Sequence, residues 1–440
     1  MNVITKENFQ KVRWSDSYEY LTIKGCLRQI TSENISRSRK TLSAIKFVQL
    51  TSFLNIKLIL ENCSNLVRLS FSNVAIVQKS NFNSKTQPLI PLPHLEELEV
   101  QEWLYTLTKY EYWILDFLNR GCSFGKLEKF VFQGRENFMD EKKVGRFQKH
   151  LRGIIDPTVV TKFLIKNSST LKKVSIGGIG FQLVDSTSTR FGNQMARVQL
   201  NSFRFDLQTP GVDLVLLSQR RLQTLSCTGF LQSFELRAKQ WIIQSLDCNY
   251  ITLTFLGIFP CIISDVAPDK RTSLYTIDCD IFRRCKKLES LFLNISTVHR
   301  KNHTERFSCG RIVNIHLLPV CLVEIELYAM KFQEQDVDDL CKRLPMFRRL
   351  RELVLNSPTS YTLSTVLVSN LPLVDSLHHA KFFGGQFDDP DTMQRIIKKR
   401  GVYTLTIGEN TIEVLKNDSA HPSMSVSYKS SVSDKKIVIK

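Results

Sequence analysis

The stretch NCSNLVRLSF, residues 62–71, ends in the spacing Leu-x-x-Leu-x-Phe, and this spacing decides the predicted fold. Residues 288–293 and 350–355 repeat it as Leu-x-x-Leu-x-Leu. Each copy follows an amphipathic run that closes in a short polar turn, which predicts a helix before each strand. One strand and one helix cannot bury their apolar faces alone, so neighbouring copies must stack. The sequence therefore predicts a repeat array.

Further copies of the spacing extend this array along the chain. Their first apolar positions are Tyr18, Leu42, Leu66, Leu95, Leu127, Leu171, Met195, Leu222, Tyr250, Leu288, Leu322, Leu350, Val374 and Val402. Most steps between copies lie in or near the range of about 20–29 residues that characterises one class of strand–helix repeat. We predict that the copies at Tyr18, Tyr250 and Val374 are weak. A rival strand over residues 312–317 competes with the copy at Leu322.

The pattern is typical of leucine-rich repeats, in which each unit supplies one strand and one helix. We predict an α/β solenoid, a horseshoe with a parallel sheet on its concave side and helices outside. The array is predicted to span residues 18–408, after a short N-terminal cap or remnant at 1–17 and before a flexible tail at 409–440. Long steps between copies predict insertions near residues 77–93, 134–157 and 264–273.

The composition is basic, with a net charge of +18, and it includes 11 cysteines in 440 residues. Residues 1–14 are polar and lack the apolar core of a signal peptide. The longest apolar-rich stretch, residues 251–266, is too short and too interrupted to span a bilayer. Scattered cysteines without a pairing pattern indicate reduced thiols. We therefore expect a cytoplasmic and/or nuclear protein without a membrane partner.

Three stretches resemble the leucine-rich repeats of F-box proteins, namely residues 42–76, 164–176 and 282–293. In each of them a helix that closes in a polar turn leads directly into the leucine-spaced strand. The resemblance implies a substrate-recognition subunit in cullin-dependent ubiquitination, with a protein substrate held by the array. The F-box, the helical segment that docks the ligase adaptor, is not recognisable, since residues 1–20 have no room for it, and no adaptor-binding residue is assigned. The alternative is a stand-alone leucine-rich repeat adaptor that binds a protein or RNA without a ubiquitin-ligase link.

The third, fifth and seventh residues of the repeated spacing are predicted to point onto the concave face, because side chains alternate along a strand. The bases at these positions are Lys24, Lys46, Arg68, Lys129, Lys173 and Arg197. The acids are Glu97, Glu99, Glu324, Glu326 and Glu352. This near balance places most of the excess positive charge elsewhere, so a nucleic-acid partner is possible but less favoured than a protein.

Charge on the predicted face is divided along the array. The predicted partner-binding residues are Lys129, Lys173, Arg197, Glu324, Glu326, Tyr328 and Glu352. The bases among them are predicted to stack as a stripe on successive strands, suited to an acidic or phosphorylated segment. The acids form a second zone, and a neutral belt lies between the two, made of Thr224, Ser226, Thr228, Thr252 and Thr254. Separated charge zones favour one oriented protein partner over a polyanion.

Residue types that carry catalysis or bind metals are not grouped in the sequence. His299, His303 and Cys309 lie close along the chain, but a fourth ligand for a zinc site is missing. The glycines of residues 177–181 lack the spacing of a phosphate-binding loop. We therefore expect no enzymatic activity, no bound metal and no cofactor.

Overall fold

The computed structural model describes the chain in segments. These are residues 2–5, 19–24, 35, 39–48, 51–72, 74, 76–77, 89–103, 114–135, 159–177, 196–206, 212–231, 236–264, 276–294, 296–301, 304–328, 330–370, 373–387, 403–408, 411–416, 425–427 and 436–438. The predicted insertions near 77–93, 134–157 and 264–273 lie largely outside these segments. The chain divides into two compact units, Met1–Arg220 and Arg221–Lys440, which are called the first and the second unit below.

The first unit is built from short strands with helices between some of them. Its strands are β1 (Asn2–Thr5), β2 (Tyr20–Lys24), β3 (Ala44–Val48), β4 (Thr51–Ser52), β5 (Arg68–Ser72), β6 (Ile76–Val77), β7 (Ile90–Leu92), β8 (Glu97–Trp103), β9 (Cys122–Phe124), β10 (Lys129–Arg135), β11 (Lys173–Gly177) and β12 (Ser202–Asp206). Its helices are α1 (Phe53–Asn62), α2 (Ile114–Gly121), α3 (Val159–Lys166) and α4 (Val212–Ser218). The main sheet has the order β1-β2-β3-β5-β8-β10-β11-β12, with all neighbours parallel. Two small parallel pairs, β4–β6 and β7–β9, lie apart from it.

Alternating burial along most of its strands explains the main sheet of the first unit. In β5, Leu69 and Phe71 are buried, whereas the residues between them are half-buried or exposed. Phe71 stacks on Phe47 of the neighbouring strand, with ring centroids 5.2 Å apart and ring planes 8° from parallel. Helix α3 covers the buried side, where the ring of Phe163 lies 4.6 Å from that of Phe130. Burying each such ring stabilises the unit by roughly 1.5–3 kcal/mol.

The second unit repeats this plan with longer strands. Its strands are β13 (Thr224–Leu231), β14 (Phe255–Ser264), β15 (Thr276–Asp278), β16 (Ser290–Asn294), β17 (Ser296–Lys301), β18 (Thr304–Val313), β19 (Glu324–Tyr328), β20 (Met330–Lys331), β21 (Glu352–Leu363), β22 (His379–Phe387), β23 (Tyr403–Gly408), β24 (Thr411–Lys416), β25 (Ser425–Ser427) and β26 (Lys436–Val438). Its helices are α5 (Leu236–Asn249), α6 (Glu334–Arg343) and α7 (Thr365–Asn370), with 3₁₀ turns at Cys279–Phe282, Ile315–Leu317 and Leu344–Met346. The main sheet runs β13-β14-β16-β19-β21-β22 in parallel and ends in the antiparallel strands β24 and β23.

Other strands of the second unit form smaller arrangements beside its main sheet. Strands β17 and β18 make an antiparallel hairpin, and the second half of β14 pairs in parallel with β17. Strand β18 also pairs in parallel with β15 and with β20. Strands β25 and β26 form a separate antiparallel pair within the predicted tail. Both units are thus mixed α/β structures with a long parallel sheet of short strands, which is compatible with a repeat solenoid.

Two buried amide side chains, one in each unit, connect a turn to the repeat before it. In the second unit, Asn249 accepts a hydrogen bond from the backbone N–H of Leu222 at 2.9 Å and donates one to the carbonyl of Ser245 at 2.9 Å. In the first unit, Gln219 accepts from the N–H of Leu200 at 2.8 Å. Leu222 and Leu200 are the leading leucines of their strands, so each amide satisfies a backbone donor at the point where a strand begins. This recurring contact fixes the distance between successive repeats.

The phase of most predicted strands is confirmed. A strand begins two residues after the leading position at Tyr18, Leu42, Leu66, Leu95, Leu127, Leu171, Leu222, Leu288, Leu322 and Leu350. The rival strand over residues 312–317 is wrong, because β18 ends at Val313 and a 3₁₀ turn follows over Ile315–Leu317. No helix among the described residues is long and apolar enough to cross a membrane.

Four predicted copies are misplaced. The copies at Tyr250 and Val374 are each three residues early, since their strands follow Leu253 and Leu377, both fully buried. In both cases the turn before the strand places another apolar side chain three positions ahead of the leading leucine, so the first part of the spacing occurs twice. The copy at Met195 is wrong because β12 follows Leu200. The strand near Val402 is antiparallel to its neighbour and is not a repeat strand.

Candidate partner-binding faces

The outward positions of the main sheet in the first unit form a surface that is called the first face below. It consists of the third, fifth and seventh residues of the repeated spacing on β2, β3, β5, β8, β10, β11 and β12. Its charged members are Lys24, Lys46, Arg68, Glu97, Glu99, Lys129, Lys173, Arg204 and Asp206. Bases outnumber acids on this face, and most of these side chains are exposed or half-buried.

The carboxylates Glu97 and Glu99 of the first face are partnered by residues on the same sheet. Glu97 lies in register between Arg68 and Lys129, and its carboxylate is 3.7 Å from the guanidinium of Arg68 and 3.6 Å from the ammonium of Lys129. Ser70 donates a hydrogen bond to Glu99 at 3.2 Å, and the amide of Gln101 donates another. The first face therefore neutralises part of its own charge across its strands.

The predicted basic stripe forms only in part. Lys129 and Lys173 lie directly opposite each other on β10 and β11. Arg197 does not join them, because it lies in the turn before β12, and Ser202 occupies the register position opposite Lys173. The base that does face outward on β12 is Arg204, which sequence reasoning missed. The cause is the misplaced copy at Met195, which moved every outward position of that repeat by five residues.

The outward positions of the main sheet in the second unit form the second face, defined in the same way on β13, β14, β16, β19, β21 and β22. Its charged and titratable members are Glu324, Glu326, Tyr328, Glu352, His379 and Lys381. All four residues predicted as its partner-binding set, Glu324, Glu326, Tyr328 and Glu352, lie together on the adjacent strands β19 and β21. Their role in binding stays a prediction.

The acidic residues of the second face are crowded. Glu324 and Glu352 are direct register partners on parallel strands, so like charges lie side by side. Ser290 donates a hydrogen bond to Glu324 at 2.8 Å, and a ring nitrogen of His379 lies 3.4 Å from a carboxylate oxygen of Glu352. Like charges at opposite positions destabilise a pair of strands. The second face therefore keeps a concentration of negative charge that the first face does not have.

Glu326 is the least solvated of these acids. Burial raises the pKa of its carboxyl group, and the nearby Glu352 and Glu324 raise it further, against a hydrogen bond donated by the hydroxyl of Tyr328. Burial and the bond to Glu326 in turn raise the pKa of Tyr328 to about 12. The tyrosine thus stays a neutral donor over the physiological range, and it fixes the orientation of the carboxylate.

The predicted neutral belt is half correct. Thr224, Ser226 and Thr228 lie on β13 as predicted. Thr252 and Thr254 precede β14, and their hydroxyls donate hydrogen bonds to the backbone carbonyls of Leu222 and Gln223 instead. The outward positions that they were expected to fill belong to Phe255, Gly257 and Phe259. The prediction was wrong here because the copy at Tyr250 was placed three residues early. The outward positions of β14 carry two aromatic rings and a glycine where hydroxyl groups were predicted.

Three phenylalanines form a cluster on the second face, which we call the aromatic patch: Phe255, Phe259 and Phe292. The rings of Phe255 and Phe292 stack with centroids 5.2 Å apart. A Cβ on Gly257 would lie 2.7 Å from an edge carbon of Phe259 and 3.2 Å from one of Phe255, so both rings close over this glycine. All three side chains are half-buried. The sequence does contain a sign of this patch, the run Phe-x-Gly-x-Phe at residues 255–259. With the repeat placed at Leu253, the spacing predicts that both phenylalanines point outward.

The described residues contain no group of three metal-binding side chains that could hold an ion. His299 lies opposite Arg306, and Cys309 lies opposite Ser296, on the two strands of the β17–β18 hairpin. His303 lies outside the described residues.

The buried cysteines do not have the features of nucleophiles. Burial raises the pKa of the Cys63 and Cys285 thiols to about 11. Burial raises that of Cys122 to about 12, although the nearby Lys166 lowers it. Since the thiolate is the reactive form, these groups are inert at neutral pH.

Compared with models of known protein families and with curated protein sequences, the chain matches none of them.

Proposed function

We propose that the chain is a protein-interaction scaffold of the leucine-rich repeat type, a horseshoe-shaped solenoid that binds its partner on the outward side of its parallel sheets. One observation carries the proposal. Parallel sheets are ordinarily buried on both sides. In both units, however, one side of the sheet is packed with apolar residues, while the other presents mostly charged and polar side chains, most of them half-buried or exposed. Stacked repeats use such a surface for binding.

The more specific form of the proposal is a substrate-recognition subunit in cullin-dependent ubiquitination. It is supported by the resemblance of residues 42–76, 164–176 and 282–293 to the repeats of F-box proteins. A stand-alone adaptor that binds a protein or RNA is the alternative. The pairing of Arg68 and Lys129 with Glu97 lowers the number of bases on the first face that could neutralise phosphates, which favours a protein over RNA.

Affinity purification of the tagged full chain from its own cells, with mass spectrometry of the co-eluting proteins, tests the general proposal. We expect a defined protein that is lost with Lys173→Glu or Glu324→Lys, which reverse charges on the two faces. Lys126→Glu is the matched control, because Lys126 is exposed in the turn before β10 and lies off the face. Two outcomes contradict binding through the outward side: the protein still co-elutes with both face variants, or it is lost with the control as fully as with the face variants.

The same purification separates the specific forms. Co-elution of a cullin and its adaptor supports the ligase role, and their absence beside a face-dependent partner supports the stand-alone adaptor. An RNA partner predicts loss of binding on ribonuclease treatment and a steep fall in affinity between low and physiological salt.

A further inference from the structure

Aromatic rings on an outward sheet position are unusual beside the polar residues that occupy the equivalent positions on neighbouring strands. In register with Phe255 lie Thr224 on one side and Ser290 on the other. Rings in water gain nothing from the hydrophobic effect unless another surface covers them. Aromatic side chains are enriched among the residues that contribute most to protein–protein binding. The aromatic patch is therefore a candidate anchor.

An internal role explains only part of this cluster. Phe255 and Phe259 lie over Gly257 and replace the packing that a side chain there would give. Phe292 lies on the next strand, in register between Gly257 and Glu326, and its ring stacks on that of Phe255 and is half-buried. Its ring extends the patch sideways towards the acids of the second face.

The acids define the chemistry of what covers the patch. Glu326 is the direct neighbour of Phe292, and Glu324 and Glu352 lie side by side on the next strands. Adjacent carboxylates repel each other and destabilise the two strands that carry them. A cation placed between them would weaken this repulsion. An Arg guanidinium fits this arrangement, because its fork of donors matches paired carboxylate oxygens.

We propose that the second face binds an extended protein segment in which a large apolar side chain packs on the aromatic patch and an Arg or Lys lies between Glu324 and Glu352. The proposal deepens the proposed function and rests on it. Neighbouring strands are about 4.8 Å apart, so β14 and the β19–β21 boundary are separated by roughly 10–15 Å. An extended segment advances about 3.3 Å per residue, which sets the base about three to five residues from the apolar anchor.

Selection of peptides on the full chain tests this chemistry directly. The probe is a random dodecapeptide library displayed on phage, and the selected peptides are then synthesised and their affinities measured. We expect enrichment of peptides with an aromatic or large aliphatic residue three to five positions from Arg or Lys. Enrichment of acidic peptides, or no enrichment above the library background, overturns the proposal.

Paired variants locate the binding site of the selected peptides. Phe292→Thr and Glu324→Gln should each weaken peptide binding at least tenfold. Their controls are Ile251→Thr, which removes a large apolar side chain that is 59% exposed in the turn before β14 and off the face, and Glu289→Gln, which removes an acid that pairs with Arg349. Both controls should keep affinity within about threefold. Equal loss in variants and controls overturns the site, and circular dichroism of each variant excludes unfolding as the cause.

The experiments distinguish failure of this binding site from failure of the proposed scaffold function. If the cellular partner is lost with Lys173→Glu but is retained with Phe292→Thr and Glu324→Gln, the scaffold function stands and this inference fails. If the selected peptides bind as predicted but no cellular partner depends on either face, the chemistry of the site stands and the scaffold function fails.

Discussion

On the first face, Glu97 lies between Arg68 and Lys129, whereas on the second face Glu324 lies beside Glu352. The same register rule of a parallel sheet produces both arrangements, because residues at equivalent repeat positions become neighbours. In the first unit charge alternates over Arg68, Glu97 and Lys129, so folding neutralises part of the face, although Lys129 also lies opposite Lys173. In the second unit the adjacent repeats of β19 and β21 carry the same charge, and the half-buried aromatic patch lies beside them. The same scaffold can therefore place opposite charges side by side on its outward positions or leave like charges adjacent there.

The comparison assumes that both units are built on the same repeat, and the largest expected effect tests this assumption. Asn249→Ala and Gln219→Ala each leave the backbone N–H of a leading leucine buried without its acceptor. Each change should lower the free energy of unfolding by about 1–3 kcal/mol. Hydrogen exchange followed by mass spectrometry should show the loss of protection in the unit that carries the change.

A matched control exists for this prediction. Asn65 lies in the equivalent turn of the first unit, but it is exposed and donates to the carbonyl of Lys40 at 3.1 Å. Asn65→Ala should cost no more than about 0.5 kcal/mol, since water replaces an exposed partner. Equal effects of all three changes would show that the buried amides have no special role in joining repeats.

Removing one carboxylate from each face should change the stability of the two units by smaller amounts and in opposite directions. Glu324→Gln removes repulsion with Glu352, so it should stabilise the second unit by about 0.2–1 kcal/mol. Glu97→Gln removes the shared partner of Arg68 and Lys129, so it should destabilise the first unit by a few tenths of a kcal/mol, as is usual for exposed pairs. Thermal unfolding at low salt measures both, and about 1 M salt should suppress both shifts. Shifts of the same sign contradict the comparison.

The pH dependence of the second unit gives a third test. The pKa of Glu326 is raised by burial, so the folded state holds this proton more tightly than the unfolded state. The contribution of Glu326 to stability is then largest below its unfolded pKa of about 4.3, and it falls as the pH rises through the folded pKa. Stability measured from pH 4 to 7 should decline less in Glu326→Gln than in the unchanged chain. A steeper decline in the variant would mean that the pKa of Glu326 is lowered rather than raised in the folded chain.

The sequence predicted the repeats at Leu66 and Leu350, where leucines fill both of the first two apolar positions of the spacing. It failed at Val374, because the true copy begins at Leu377 and has an alanine at its second apolar position, while Val374 and Leu377 are both buried. The acidic part of the second face was predicted because the phase at Leu322 was right. The two phenylalanines of the aromatic patch on β14 were missed because the phase of that repeat was wrong, and Phe292 on the correctly phased β16 was not recognised without them. The outward residues are thus identified correctly only if the first residue of each repeat is placed correctly. That placement depends on buried turn contacts such as that of Asn249 with Leu222, which join residues far apart in the sequence and are not visible in the local spacing.

The last prediction concerns the cores, where the two units should not differ at all. Burial raises the pKa values of Cys63 and Cys285 to about 11, so both remain protonated thiols at pH 8 in the folded chain. In the unfolded chain such thiols have a pKa of about 8.5 and react readily. Iodoacetamide at pH 8, with mass spectrometry to locate the label, should modify both only after denaturation, whereas the half-buried Cys248 should react faster in the native chain. Rapid labelling of Cys285 alone would mean that the second unit opens more readily than the first. The contrast between the two faces would then reflect a difference in stability between the units as well as a difference in surface charge.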